Sequence, residues 1–151
     1  MKKSSLLLVG LALTSLTTFA DEQTSSKPMK AIEKRGKYLV QIAGRNDCHT
    51  QNYAMQQGNV DESEWLKGNS QGFDGPWGTS YAANLRLVAD AVTVDEFASL
   101  ARAQSEQLLP PMPWFNLRAM HDRDIKAIYA YLKYLGPAGE PVPSNLPPQS
   151  H

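Results

Sequence analysis

The chain has 151 residues with 15 basic and 15 acidic side chains, a formal net charge of zero on a length that suits one domain. A dedicated nucleic-acid binder carries a basic excess, and none is present. With Cys48 as its single cysteine, the chain can form no internal disulfide.

Lys2 and Lys3 precede an apolar run from Leu6 to Leu16, and small residues follow up to Ala20. That order is the pattern of a secretory signal peptide over residues 1–20, cleaved after Ala20. Broken by Gly10, Thr14 and Ser15, the run falls short of the roughly 20 apolar residues that span a bilayer. The mature chain is therefore expected to be exported, meeting a membrane only if the leader is kept as an anchor. Losing Lys2 and Lys3 takes the basic count from 15 to 13 against 15 acids, two net negative charges. In an oxidising compartment a lone cysteine is intermolecular, free and reactive, or consumed by other chemistry.

Residues 21–29 are polar and read as a flexible lead-in. From Met29 to Ala43 the spacing predicts a helix. Ile32, Leu39 and Ile42, with Gly36 and Ala43, form its packed face, while Lys30, Glu33, Lys34 and Lys37 take the other. Gly44 ends that helix, and "GRNDCHT" (44–50) begins in a turn. Residues 51–91 read as long loops with aromatics spaced through them: Tyr53, Trp65, Phe73, Trp77 and Tyr81. Loops that long usually wrap something functional, and a large flat apolar cofactor would give those rings a surface. A second helix starts at the capping box of Thr93 and Glu96 and continues to Gln107, with Phe97, Leu100 and Ala101 on its apolar side.

"LLPPMPWF" (108–115) is expected to run extended, because Pro111 and Pro113 restrict the residues before them. A third helix spans Asp122 to Leu135, with Ile125, Ile128, Tyr129, Leu132 and Leu135 at helical offsets, and Gly136-Pro137 stops it. Residues 137–151 are a Pro-rich tail, read as an extended, mobile strap. No strand alternation appears. The expectation is an all-α domain over residues 30–136, three main helices with long loops. A core that small is often supplemented by a metal or cofactor.

Cys-x-x-Cys-His attaches haem because two thiols add across two vinyl groups while the histidine coordinates iron. Here Arg45 stands in the first position, so only Cys48 is available for a thioether, and His49 remains as a ligand. Taken alone, a Cys-His pair equally fits a buried structural cysteine beside a histidine. A second feature adds weight. Met112 lies between Pro111 and Pro113, which fix the backbone on both sides. A methionine that merely fills a core needs no such frame, whereas an axial thioether ligand does.

"RGKYLVQIAGRNDCHT", "GPWGTSYAANLR" and "PPMPWFNLRAMHDRDIKAIYAYLKYLGPAGEPVP" resemble the class I c-type cytochromes of bacterial periplasms, over roughly residues 30–143. The resemblance implies a class I cytochrome c-like fold around one haem c, tethered by a single thioether through Cys48. It implies His49 as proximal and Met112 as distal iron ligand. Trp77, Tyr81, Asn84 and Arg86 would hydrogen-bond or pair with the haem propionates, and Trp114 would pack near the ring. It also implies that the first and last helices cross at Gly36 and Tyr129 or Tyr131. The chain would be an electron carrier and not an enzyme, serving a redox partner such as a periplasmic dehydrogenase or oxidase. Two positions depart from the family: Arg45, and His121 where Ser or Thr is usual. His121 thereby becomes a rival ligand, expected instead to be exposed, while Met55 and Met120 are expected to pack. Arg45 leaves three alternatives: haem on one tether with Arg45 at its exposed edge, haem held without a covalent bond, or a degenerate site. A haem-free accessory module, and copper or zinc on Cys48, His49 and Met112, are the rival readings.

Overall fold

A computed structural model describes residues 27–102 and 109–148. The expected signal peptide (1–20), most of the lead-in and the end of the second expected helix (103–107) lie outside the described residues.

The first helix, α1 (Ala31–Ile42), buries Gly36, Leu39 and Val40. Ile32 and Ile42, expected on that face, are 46 % and 61 % exposed. At 100° per residue Ile42 falls about 120° from the Gly36 stripe, and Val40 takes its place. Ala43 caps the helix, and Gly44, at φ 63°, turns the chain through the left-handed region. The motif expected in a turn is instead one short helix, α2 (Arg45–His49). Thr50 then anchors the following loop: its hydroxyl donates to Asn46 Oδ1 and accepts from the Leu66 N–H, both at 2.8 Å.

Beyond that loop and a 3₁₀ turn (Glu62–Glu64), the chain forms a hairpin of β1 (Phe73–Gly75) and β2 (Gly78–Ser80). The all-α expectation therefore needs correcting: the fold is mostly helical with a small two-stranded antiparallel sheet. Pro76 and Trp77 make its two-residue turn, and the strands are too short for alternation to show. Two short helices were also missed. Asn84 caps α3 (Leu85–Ala91) by accepting from the N–H groups of Arg86 and Leu87. Pro113 opens α5 (Trp114–Ala119). The proline segment before α5 does not run extended; it turns, with Met112 N–H donating to Leu109 O at 3.2 Å.

The capping box is present at the start of α4 (Val94–Arg102): Glu96 accepts from the Thr93 N–H at 2.7 Å, and Thr93 Oγ1 accepts from the Glu96 N–H at 3.3 Å. The last helix, α6 (Asp122–Leu135), has the predicted limits and a wide buried face. Ala127 and Tyr131 meet α1, Asp124 accepts from Arg35 across the same interface at 3.1 Å, and Ile125 and Ile128 face the centre of the molecule. Tyr129 reaches the other way, donating to Val92 O at 2.9 Å and packing on Phe97. The tail is extended but fastened. Leu146 exchanges two backbone hydrogen bonds with Thr79, Asn145 Oδ1 accepts from the Tyr81 N–H, and Asn84 holds the Ala138 and Glu140 carbonyls.

The closest approach of α1 to α6 is at Gly36. A methyl group there would run into the Ala127 carbonyl oxygen and lie 2.7 Å from Tyr131 Cβ. Helix propensity alone favours alanine over glycine by about 1 kcal/mol, but overpacking costs roughly 1–3 kcal/mol and here meets backbone. Gly36→Ala is expected to destabilise the chain by about 2 kcal/mol, read as a lower urea midpoint at unchanged slope. An unchanged midpoint would mean the helices do not cross at this residue.

Candidate cofactor-binding site

Between α3, α4, α6 and the Met112 turn lies a cavity of about 430 Å³, within the range of cofactor-sized sites. Its walls are almost wholly apolar: Leu85 and Val88 from α3, Phe97 and Leu100 from α4, Ile125 and Ile128 from α6. Five of the residues singled out from sequence line it, namely Arg45, Cys48, His49, Tyr81 and Met112.

His49 is 6 % exposed, and its Nδ1 lies 2.8 Å from the Ala83 carbonyl oxygen. A carbonyl only accepts, so Nδ1 carries the proton and Nε2 is left with its lone pair. Nε2 is buried and has no hydrogen-bond partner. Burial holds the imidazole neutral, pushing its pKa down to about 4; the Ala83 bond opposes this and the Arg45 charge adds to it. A neutral imidazole with Nδ1 fixed on a backbone carbonyl and Nε2 free is the form that binds metal. Cys48, beside it, is half-buried, and burial together with Asp47 raises its thiol pKa. That keeps it a thiol at neutral pH and argues against a reactive thiolate.

The other predicted site residues are placed elsewhere. Trp77 sits on the hairpin turn, its indole N–H donating to Phe73 O at 3.3 Å. Trp114 is half-buried against Phe115 with Arg118 over its ring, and Leu117, three residues on, reaches the cavity instead. Asn84 caps α3 and clasps the tail. Arg86 spends its guanidinium on three carbonyls, Gly136 and Leu135 at 2.6 Å and Ser63 at 2.8 Å. These last two polar groups hold the end of α6 and the tail and do not face the cavity. Of the loop aromatics only Phe73 and Tyr81 face it, while Tyr53 and Trp65 pack on each other. His121 is exposed at the start of α6, Met55 is 79 % exposed, contrary to expectation, and Met120 is half-buried and accepts from Arg45.

Sequence reasoning missed the role of Ala83, whose side chain carries no signal, and of Asn145, which brings the tail to the cavity wall. Among the described residues no group of three or more His, Cys, Asp or Glu could hold a bare metal ion. No helix among them is long and apolar enough to cross a membrane.

No family model and no solved structure matches the chain. It is 30 % identical over 150 residues to the gluconate 2-dehydrogenase cytochrome c subunit of Pantoea cypripedii, covering 89 % of this chain and 29 % of that one. It is 27 % identical over 147 residues to the fructose dehydrogenase cytochrome subunit of Gluconobacter japonicus, covering 91 % of this chain and 28 % of that one. The chain is thus similar to cytochrome subunits of dehydrogenases, and spans less than a third of their length.

The His49 shift fixes a pH dependence for the ligand-free chain. The folded pKa of about 4 lies below the ordinary 6.5. Between those values the unfolded chain takes up a proton that the folded chain refuses. Stability from the neutral imidazole is therefore full above pH 6.5 and is lost as pH falls toward 4. Urea unfolding at pH 7.5 and 4.5 should show a loss on the order of 3 kcal/mol that His49→Gln lacks. Equal losses in both proteins would mean that His49 is not buried neutral.

Proposed function

We propose that the chain is a periplasmic electron-transfer domain that holds one haem with His49 Nε2 and Met112 Sδ as its iron ligands and Cys48 as its only covalent tether. The observation that carries this is the unpartnered, buried Nε2 of a histidine whose Nδ1 is bound to Ala83 O, in an apolar cavity that Cys48 and Met112 also line. Bound there, a haem iron supplies reversible one-electron transfer. The chain's own residues do the rest. The Ala83 carbonyl orients His49 and raises its basicity. Cys48 would hold the group by adding its S–H across one vinyl group, the S–H and the π bond giving way to one C–S and one C–H bond, with no external oxidant or reductant needed. The soft Met112 sulfur favours the reduced iron, and the apolar walls from α3, α4 and α6 keep water out and disfavour the more charged oxidised state. Arg45 leaves both ligands intact and removes only a tether, which bears less on iron affinity than the ligands do.

Similarity to cytochrome subunits of two dehydrogenases supports an electron-carrying part over a catalytic one, with a dehydrogenase as redox partner. Residues 1–20 would direct export.

The test is expression of the full chain in a periplasm with c-type maturation, followed by a denaturing gel stained for haem. Haem should stay with the wild-type band. A colourless wild type beside a red Arg45→Cys would leave a degenerate pocket in place of a cytochrome. Met112→Ala should abolish the weak sulfur-to-iron charge-transfer band of the oxidised protein, and its persistence would remove Met112 from the iron.

A further inference from the structure

Among the described residues Arg45 is the one charged side chain on the cavity wall. It lies one helical turn before His49 on α2, and residues four apart share a helix face. Its only side-chain partner among the described residues is a weak acceptor: Nη2 donates to Met120 Sδ at 3.4 Å. Among the described residues no carboxylate forms an ion pair with it, and neighbouring Asp47 is exposed. Burial lowers the guanidinium pKa to about 10, which still leaves it charged at neutral pH. The same charge helps depress the pKa of His49, so its field reaches the imidazole.

A partly buried cation with no counter-charge among the described residues acts on whatever is bound at Nε2. Oxidising an iron adds one positive charge, and a fixed positive charge nearby opposes that step. At about 10 Å and an effective dielectric near 20, a unit charge shifts a one-electron equilibrium roughly tenfold. Because the charge is partly buried, salt screens it less than a surface charge.

We infer that Arg45 is the residue that sets the midpoint potential of this centre: standing in place of a tether, it holds an uncompensated charge beside the proximal ligand and raises the potential. This rests on haem binding as proposed above. The iron itself changes by one electron with the partner as donor or acceptor, and Arg45 neither gains nor loses a bond or proton in the process.

The test is potentiometric titration of the haem-loaded full chain, wild type against Arg45→Met and Arg45→Lys, at low and high salt, with absorption spectra recording haem content and ligation. Arg45→Met should lower the potential so that electron exchange with a fixed donor shifts about tenfold toward the oxidised protein, ~59 mV for one electron. Arg45→Lys should stay close to wild type, and the difference should survive high salt. A role in packing alone would move both variants together and would overturn the assignment. So would a red Arg45→Met whose equilibrium stays within twofold of wild type, as expected if a haem propionate neutralised the guanidinium; haem binding would then stand. Wild type and variants that are all colourless would overturn haem binding itself, and this assignment with it.

Discussion

The hydrogen bond from His49 Nδ1 to the Ala83 carbonyl ties the end of α2 to the segment leading into α3. With Nδ1 committed, the imidazole has one tautomer, one orientation, and a bare Nε2 among apolar side chains. An unsatisfied buried acceptor costs roughly 1–3 kcal/mol, a cost that the proposed ligand at Nε2 would offset. Neighbouring bonds reinforce it: the His49 carbonyl accepts from the Gly68 N–H at 2.8 Å, and Thr50 fastens the next turn to Leu66. The α1–α6 crossing at Gly36 fixes the helix whose Ile125 and Ile128 line the same cavity as α2.

Polar groups divide sharply between frame and cavity. Asn84 and Arg86 lie around the same region, yet their hydrogen bonds go to helix ends and to the tail, and Asn145 accepts from the Tyr81 N–H. Arg86 satisfies the carbonyls of Leu135 and Gly136, which a helix C-terminus otherwise leaves without partners. Among the described residues, the groups facing the cavity that could act as ligands or carry charge are a neutral histidine, a protonated thiol, a thioether and one cation, with Ser80, Tyr81 and Asn145 at the wall beside them. Such a set does little acid–base chemistry. It suits a group that carries its own chemistry and asks the protein for ligands, a dry surround and a fixed field.

Much of this was legible in the sequence where a pattern repeats over several turns. The limits of α6 follow from its apolar offsets and Gly136-Pro137, the Thr93–Glu96 box from its spacing, and the Gly36 crossing from the resemblance of the first and last segments. Short elements escaped. A three-residue strand shows no alternation, and α3 and α5 are too short for periodicity to outweigh the glycines and prolines around them. Cys48, His49 and Met112 stood out in the sequence because of their side-chain chemistry, and all three line the cavity. Asn84 and Arg86 were misplaced because a polar side chain near a cofactor loop looks alike whether it faces a ligand or a helix end. Ala83 could not be found at all, since its contribution is a backbone carbonyl.

The central claim is that this cavity holds a haem tethered only through Cys48. The alkaline pyridine haemochrome of protein matured in a periplasm tests it directly, because its α-band moves with each vinyl group converted to a thioether. A band between those of free haem and of a doubly tethered haem is expected, with haem that resists extraction into acid–organic solvent. A band at the free-haem position with fully extractable pigment, or no haem spectrum at all, would contradict it.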